Sequence, residues 1–372
     1  MDLYFDNAAT TKISKRALEA YNETAMEFWA NPSSVHTPGL SAKKKLEEER
    51  SRIASLMGIT PTSLFFTSGA TESIGSVISS LLFTTPGKII ISKIEHEAVA
   101  SWLSILKQYG WKTAELKAKG GFVDPESLKA ELTPDTKFVA IMAVNNVTGA
   151  IEPIKELVSV VREYEKTSSK RRIFFFSDSV QALGKIDYNP AALDIDGASF
   201  SGHKINGPRG IGMLYLKNPS AFRPLSAAGG QEKGKRGGTE NLPAIASLRA
   251  ALEEWIEGRE EKNAAVSEMK KMIVSELKEL GYDILSPEKS SPYIISFASK
   301  LPSEVFTRML SDKGAYVSSG SACSNNAKGE GEKILLGMGV KPERARNAVR
   351  VSLSNSTTLE ECEELIRIIK EC

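Results

Sequence analysis

The sequence predicts an α/β fold built on a mostly parallel sheet, and two observations support that prediction. Short apolar runs alternate with amphipathic stretches between about residues 60 and 220. Most of these runs are continuously apolar, which is typical of strands covered by helices on both faces. We assign strands to the runs Ser63–Phe66, Lys88–Ile91, Phe138–Val144, Ile173–Phe176, Ala198–Phe200 and Ile211–Leu216.

Amphipathic or strongly charged stretches lie before and between these strands, and they predict helices. Two of them, Ala98–Tyr109 and Ile154–Thr167, connect predicted strands. A third, Leu40–Met57, is rich in lysine and glutamate, and Gly58 is well placed to end it because glycine readily adopts the left-handed conformation found after helices.

The pattern changes after Pro243. A long charged stretch, about Ala244–Leu280, predicts one helix, and a strand at Tyr293–Phe297 and a final helix to Cys372 follow it. We place a domain boundary inside the long helix, near Gly258. A large domain then covers residues 13–257, and a smaller α+β domain takes residues 258–372.

Composition narrows the classes of function. The chain has 372 residues and a net charge of +2, which gives no reason to expect nucleic acid or an acidic membrane as a partner. It has neither a signal-peptide pattern nor an apolar run near the roughly 20 residues that cross a bilayer. The three cysteines lack metal-ligand spacing and predict reduced thiols. We therefore expect a cytoplasmic enzyme without a metal site.

A lysine and an aspartate carry the strongest chemical signal. Lys204 ends a Ser-Gly-His-Lys run after an apolar stretch, and Asp178 follows three consecutive phenylalanines. A lysine amine forms a Schiff base with an aldehyde, and a carboxylate pairs with a pyridinium N–H. Together they match the two ends of pyridoxal 5′-phosphate. Taken alone, Asp178 is equally well explained as a helix N-cap, and Lys204 as a solvated loop residue.

Further candidates follow other predicted strands. Ala70 and Thr71 begin a helix whose free N–H groups suit a phosphate, and Ser201 and His203 could add side-chain donors to it. His96 could stack on a ring and exchange protons near neutral pH. Each has a plainer alternative: an ordinary helix start, a structural histidine, or a surface histidine between Glu95 and Glu97.

Four more side chains complete the candidate set. Gln181 could reach a ring hydroxyl, and Asn146 could donate to a carboxylate or merely shape a turn. Arg350, isolated in an apolar run, either pairs with an internal carboxylate or binds a substrate carboxylate bidentately. Cys323 lies in a run of small polar residues, where a thiol is available as a nucleophile.

Taken in order, these motifs resemble the cysteine desulfurases of the class V aminotransferase family. The resemblance runs almost end to end, and the Ser-Ser-Gly-Ser-Ala-Cys run that ends at Cys323 points to desulfuration. The matching segments are Asp6–Thr11, Asn31–Ser34, Thr67–Ser73, Glu95–His96, Asn145–Asn146, Asp178 with Gln181, Ser201–Lys204 with Gly207–Pro208, Gly229–Glu232 with Arg236 and Gly238–Thr239, Ser318–Cys323 and Arg350.

The resemblance implies a pyridoxal-phosphate enzyme of fold type I, with a seven-stranded sheet and residues 1–12 joining the small domain. It implies that L-cysteine gives L-alanine while its sulfur passes to Cys323, on a nucleophile loop at about residues 318–331. The sulfur would then serve an acceptor such as an iron–sulfur scaffold protein. It also implies a homodimer in which Thr239 reaches the partner's phosphate. The resemblance further implies that Lys204 forms the Schiff base, that His96 stacks on the cofactor ring and that Asp178 holds its N1. Gln181 would contact the ring hydroxyl. The phosphate would be held by Ala70, Thr71, Ser201 and His203, and the substrate carboxylate by Asn146 and Arg350.

The chain departs from the family pattern at Val147, at Ile74-Gly75 and at Ala228, and it ends at Cys372 without the longer tail that some members use to engage a scaffold. Other interpretations therefore stay open. A selenocysteine or cystine lyase, or a class V aminotransferase, would use the same cofactor without a thiol nucleophile. A non-catalytic protein that keeps the fold as a dimeric interaction platform is a third possibility.

Overall fold

The computed structural model describes residues 2–169, 171–224, 229–320 and 329–372. The strands of this described part are β1 Leu3–Tyr4, β2 Leu64–Thr67, β3 Lys88–Ser92, β4 Lys112–Leu116, β5 Thr136–Ala140, β6 Phe174–Asp178, β7 Gly197–Ser201, β8 Gly212–Leu216, β9 Asp283–Ile284, β10 Ile294–Ala298, β11 Ala315–Tyr316, β12 Ser318–Ser319 and β13 Ala348–Ser352. The helices are α1 Lys15–Glu27, α2 Thr37–Leu56, α3 Ala70–Ser80, α4 Glu97–Ala100, α5 Trp102–Gln108, α6 Pro125–Glu131, α7 Ile154–Tyr164, α8 Leu242–Ile256, α9 Arg259–Glu279, α10 Ser303–Asp312, α11 Glu330–Gly337, α12 Pro342–Arg346 and α13 Leu359–Lys370.

The central sheet has seven strands in the order β2-β8-β7-β6-β5-β3-β4. The five consecutive strands β7, β6, β5, β3 and β4 run parallel to one another. Strand β8 runs antiparallel to both β2 and β7, so that β2 points the same way as the other strands. This confirms the predicted α/β class and the mostly parallel sheet. The carboxyl ends of β2, β3, β5, β6 and β7 therefore meet at one edge, where open α/β sheets bind ligands.

Burial on both faces explains why most strands are continuously apolar. Within β3, Ile89 and Ile91 pack into one apolar cluster and Ile90 into another on the opposite face. The edge strand β4 was not predicted because its residues are largely exposed or half-buried. The prediction of a strand from Phe138 to Val144 was wrong in its second half, since β5 ends at Ala140.

The single long helix predicted after Pro243 is wrong as well. The chain forms two helices, α8 and α9, which are separated at Gly258. Gly258 has φ +62°, a left-handed conformation that interrupts the helical path and that glycine adopts without strain. By contrast, the predicted helix Leu40–Met57 is present as α2, and Gly58 follows it with φ +64°.

The C-terminal third contains a four-stranded antiparallel sheet in the order β12-β13-β10-β9. The N-terminus joins this part of the molecule. Strand β1 pairs in parallel with β11, and Asp6 forms an isolated bridge with Ser352 of β13. The division into residues 13–257 and 258–372, with residues 1–12 in the smaller domain, stays a prediction with which these pairings agree.

A buried ion pair fixes the edge of the central sheet. Arg50 of α2 donates to both carboxylate oxygens of Glu232 at 2.7 and 2.8 Å, and each side chain is almost completely buried. Glu232 also accepts the backbone N–H of Phe66 on β2 at 2.8 Å. The pair thus anchors residues 229–236 to the strand that precedes the α3 N-terminus.

Removing one partner of this pair leaves a buried charge without compensation. We expect Arg50→Met to lower the free energy of unfolding by about 3–5 kcal/mol in urea denaturation. The double variant Arg50→Met, Glu232→Gln should recover most of that loss, because Gln still accepts the Phe66 N–H. Lys271→Met, which removes a pair exposed on both sides, should change stability by less than about 0.5 kcal/mol. If Arg50→Met and Lys271→Met lowered the free energy of unfolding equally, the stabilising role of the buried Arg50–Glu232 pair would be contradicted.

Candidate active site

A cavity of about 1050 Å³ lies at the carboxyl edge of the central sheet. Its walls come from strand ends, from the N-terminal segment and from the C-terminal third. All predicted site residues except Thr239 and Cys323 line it: Ala70, Thr71, His96, Asn146, Asp178, Gln181, Ser201, His203, Lys204 and Arg350.

Lys204 follows β7 in a short turn, and its amine is held by the backbone. Its Nζ donates to the carbonyl oxygens of Ala8 at 2.8 Å and Ala9 at 2.6 Å. The same N-terminal segment is fixed to the turn by Thr11, whose N–H and hydroxyl both donate to the carbonyl of His203 at 2.8 and 2.9 Å. Lys204 is therefore a half-buried amine in a defined position on the cavity wall.

Asp178 is the last residue of β6, and only 7% of its surface is exposed. Its Oδ1 accepts the Val180 N–H at 3.1 Å, so the side chain does cap the following turn. Burial raises the pKa of Asp178, and the nearby His96 and Lys204 partly oppose that shift. A buried carboxylate of this kind gains from a cationic N–H partner.

The orientation of His96 is fixed by the backbone. As the N-cap of α4, its Nδ1 accepts the Ala98 N–H at 3.0 Å. The neutral ring therefore carries its proton on Nε2, which lies 3.7 Å from Oε1 of Glu330. That carboxylate oxygen also accepts the Glu97 N–H at 3.0 Å, which ties the start of α11 to the start of α4.

The other end of the cavity suits an anion. Helix α3 begins at Ala70, and Gly69 approaches β8 so closely that a Cβ on Gly212 would lie 2.5 Å from Gly69 Cα. Ser201 and His203 contribute side chains, and His203 Nδ1 lies 3.1 Å from the Thr10 hydroxyl. Burial, together with the positive charges of Lys204 and other cations, lowers the pKa of His203 to about 4. Its ring is therefore neutral near pH 7.

Arg350 and Asn146 lie together on the third side of the cavity. Nη1 of Arg350 donates to the Asn146 carbonyl at 2.8 Å, and Nη2 donates to Oδ1 of Asp6 at 2.7 Å. The internal carboxylate considered as one alternative is thus Asp6. Within the described part of the chain, Nε of Arg350 and Oδ1 of Asn146 are buried without a hydrogen-bond partner. Both side chains therefore keep hydrogen-bonding capacity toward a bound molecule.

The remaining predicted residues lie elsewhere. Thr239 is exposed and does not line the cavity. Cys323 and Ala228 lie outside the described residues. Cys362 is buried with its sulfur 3.6 Å from that of Met269, and burial raises the pKa of its thiol to about 12, which makes it a poor nucleophile.

Two buried ionisable residues were missed. Lys185 donates to Gln181, and the buried Glu95 lies in the turn between β3 and α4, next to His96. Oε1 of Glu95 accepts the Met142 N–H at 2.9 Å and the Ser92 hydroxyl, while burial raises the pKa of Glu95 to about 8. The available signals were weak: Lys185 follows Gln181 by four residues, and Glu95 directly precedes His96.

The residues present fit pyridoxal 5′-phosphate. A buried carboxylate with a raised pKa, a held amine and an imidazole line the same cavity as a helix N-terminus with small polar side chains. The Asn146 amide oxygen, which is buried without a hydrogen-bond partner among the described residues, can accept a hydrogen bond from a ligand. This donor set matches a pyridinium ring that bears an aldehyde and a phosphate.

Comparison with known proteins gives a consistent result. The family model described as aminotransferase class-V matches residues 3–365. A protein of Lactobacillus delbrueckii subsp. bulgaricus named as a NifS/IcsS homolog is 40% identical over 99% of this chain and 96% of its own length. The cysteine desulfurase IscS of Dictyoglomus turgidum is 35% identical, with 99% and 94% covered. A solved structure of a NifS-like protein superposes with a TM-score of 0.93 at 34% identity and covers 100% of this chain and 99% of its own.

Within the described residues, no helix is both long enough and apolar enough to span a bilayer.

The raised pKa of Glu95 makes stability depend on pH. Between the ordinary value of 4.5 and about 8, the folded protein keeps a proton that the unfolded chain has lost, so stability falls as pH rises through this window. Glu95→Gln removes that loss. In urea denaturation from pH 5 to 8, we expect the stability of the variant relative to wild type to rise with pH, by at most about 1.4 kcal/mol per unit. For Glu268→Gln, at an exposed position, the free energy of unfolding should vary with pH as it does for wild type. If the Glu95→Gln curve were also parallel to that of wild type, the raised pKa of Glu95 would be refuted.

Proposed function

This chain belongs to the aminotransferase class-V family, and we propose that it is a pyridoxal-phosphate-dependent cysteine desulfurase. It converts L-cysteine to L-alanine and transfers the sulfur to Cys323. The observation that carries this proposal is the shared cavity, where the held amine of Lys204, the buried carboxylate of Asp178 and the oriented imidazole of His96 meet. The relative at 35% identity that is named cysteine desulfurase IscS supports the same reaction.

The cofactor, when bound, supplies an electron sink that accepts the electrons released at the substrate Cα. Asp178 would hold N1, Lys204 would bind the aldehyde carbon, and His96 would stack on the ring. Thr71, Ser201 and the neutral His203 would hold the phosphate beside the α3 N-terminus. Nζ of Lys204 would then take the proton from the substrate Cα.

The substrate carboxylate is assigned to Arg350 and Asn146. Nε of Arg350 is buried without a hydrogen-bond partner among the described residues and could donate to that carboxylate, while Asn146 lines the same cavity and could donate through its amide N–H groups. Because Asp6 already neutralises part of the guanidinium charge, the substrate must share or displace that carboxylate. A charged, hydrogen-bonding group at this position selects amino acids with a free carboxylate.

Cys323 is proposed as the sulfur acceptor within the enzyme. Its thiolate attacks the substrate sulfur, a sulfur–sulfur bond forms, and the carbon–sulfur bond of the substrate breaks. L-Cysteine and the Cys323 thiol thus become L-alanine and a Cys323 persulfide, with atoms in balance. The described residues on both sides of this cysteine support the assignment, since Ser318–Gly320 and Glu330–Gly331 line the cavity.

A protein thiol, such as that of an iron–sulfur scaffold, is proposed as the next acceptor, in the cytoplasm. The persulfide sulfur must leave before another turnover, and a thiol can accept it by attacking the outer sulfur of the persulfide. Radiolabelled sulfur that stays on the enzyme in the presence of a scaffold protein would argue against this route.

A second copy of the chain is proposed to complete the site. Thr239 is exposed and follows Arg236 by three residues, and Nε of Arg236 donates to Oε1 of Glu72 in the first turn of α3 at 3.0 Å. Several large apolar side chains at the end of α1 and the start of α2 are also exposed, which is typical of an interface. They are Met26, Trp29, Val35 and Leu40.

Cys323 separates the proposed reaction from its alternatives. With the cofactor bound, we expect Cys323→Ser to form L-alanine from L-cysteine at less than about one hundredth of the wild-type rate, because the sulfur then lacks its nucleophile. Alanine is measured by chromatography, with sulfide as the second product.

Two controls complete this experiment. Cys372→Ser, which removes a half-buried thiol outside the proposed site, should retain wild-type turnover. Lys204→Ala should lose turnover together with the absorbance of covalently bound cofactor. If Cys323→Ser equals wild type, a lyase or aminotransferase is the better description. If wild type takes up no cofactor, the enzymatic proposal fails.

The dimer proposal is tested by Trp29→Glu, which places a charge on the exposed apolar surface. We expect wild type to sediment as a dimer and the variant to shift toward monomer. Phosphate binding should weaken in parallel, so that a higher pyridoxal phosphate concentration is needed for half-saturation. Tyr109→Glu, at another exposed aromatic, should stay dimeric. A monomeric wild type that binds the cofactor fully would rule out the composite site.

A further inference from the structure

The amide of Gln181 has two distinct ends, and the structure orients both. Its Oε1 accepts from Nζ of Lys185 at 2.7 Å, and its Nε2 donates to the Ala8 carbonyl at 3.0 Å. The same carbonyl accepts from Nζ of Lys204 at 2.8 Å. A hydrogen-bonded chain thus runs from Lys185 through Gln181 and Ala8 to the amine of Lys204.

Lys185 is buried where a cation has little support. Only 3% of it is exposed, and its Nζ has Gln181 as its hydrogen-bond acceptor, with the Trp255 ring centroid 5.7 Å away. The preceding Gly184 has φ +72°, and a Cβ there would lie 2.8 Å from that of Trp255. Burying an amine costs free energy unless the amine is hydrogen-bonded or paired with a charge. The acceptor of this amine is Gln181, which lines the cavity.

We propose that Lys185 is a positioning residue for the cofactor, which acts by fixing the orientation of the Gln181 amide. With Oε1 held by Lys185, Nε2 faces Ala8 and the cavity, and its second N–H is directed to an acceptor such as the ring hydroxyl. This inference rests on the proposed function for the identity of the ligand.

The alternative amide orientation explains why a donor is needed. A flipped Gln181 would point Oε1 at the Ala8 carbonyl, so that two acceptors would face each other, and it would offer an acceptor to the ring hydroxyl. Burial, with the charges of Lys204 and Arg350, lowers the pKa of Lys185 to about 7. Both the ammonium and the neutral amine carry N–H groups, so the orienting contact persists on either side of this pKa.

The experiment is a double-mutant cycle on the full-length protein, with pyridoxal 5′-phosphate as the probe. The variants are Lys185→Met, Gln181→Leu and their combination. Cofactor-free protein is titrated with pyridoxal 5′-phosphate, and the dissociation constant and the absorbance maximum of the bound cofactor are recorded. We expect Lys185→Met to weaken binding about tenfold and to shift the maximum. In the Gln181→Leu background, the same substitution should change neither quantity.

Three comparisons keep the test decisive. Lys270→Met removes another partly buried lysine, which bonds Ser290 and Ser291 away from the cavity, and it should leave affinity and spectrum unchanged. Lys185→Gln keeps an amide N–H and should bind within about threefold of wild type. Lys185→Leu, which also lacks an N–H donor, takes the place of Lys185→Met in the cycle if that variant does not fold. Thermal midpoints of the cofactor-free proteins separate folding defects from binding.

The outcomes are distinct. Loss of the Lys185 effect in the Gln181→Leu background supports the positioning role. An equal effect in both backgrounds, or an equal effect of Lys270→Met, overturns it. If wild type itself shows no saturable binding of pyridoxal 5′-phosphate, the proposed function fails first.

Discussion

The site depends on one constraint, the path of residues 6–11 across the carboxyl edge of the central sheet. The carbonyls of Ala8 and Ala9 hold the amine of Lys204, and Thr11 fixes the turn that carries it. Asp6 pairs with Arg350, and its backbone bridges Ser352 on β13. A short segment without a proposed catalytic side chain therefore joins the central sheet to the C-terminal third and sets the position of the amine. Backbone carbonyls suit this task, because they solvate a cation without adding a charge that would have to be buried.

Burial and nearby charges together shift the pKa values of side chains in and around the cavity. Acidic groups become harder to ionise, so that the pKa of Glu95 rises to about 8, whereas basic groups become easier to deprotonate, as with Lys185 at about 7. Asp178 follows the first trend and His203 the second. Glu95 and Lys185 thus have pKa values close to neutral pH, a property typical of the surroundings of sites where proton transfer accompanies the reaction.

The strands and the chemically distinctive residues were predictable from the sequence, for physical reasons. A strand covered on both faces must be apolar throughout, and β3 is an example. Strand β4 was not predicted because it is an edge strand with polar residues. The break between α8 and α9 was not predicted because helical residues on both sides of Gly258 form one continuous sequence pattern. In the site, Lys204 and Asp178 could be predicted because the chemistry of their side chains is distinctive. The contacts of the Ala8 and Ala9 carbonyls could not be predicted, since every residue has a carbonyl group. The contact of Lys185 with Gln181 is visible only in the folded structure, where a turn brings the two side chains together.

The two ends of the segment that carries Cys323 are tied to opposite sides of the site. Before it, β12 pairs with β13 beside Arg350, and the Gly320 N–H donates to the Ala348 carbonyl at 2.7 Å. After it, Glu330 opens α11 and accepts the Glu97 N–H while facing Nε2 of His96. Because the Ala98 N–H occupies Nδ1, the ring nitrogen of His96 that faces Glu330, where this segment ends, is Nε2. The backbone therefore fixes both the nitrogen of His96 that would serve the proposed reaction and the two points at which the segment that carries Cys323 begins and ends.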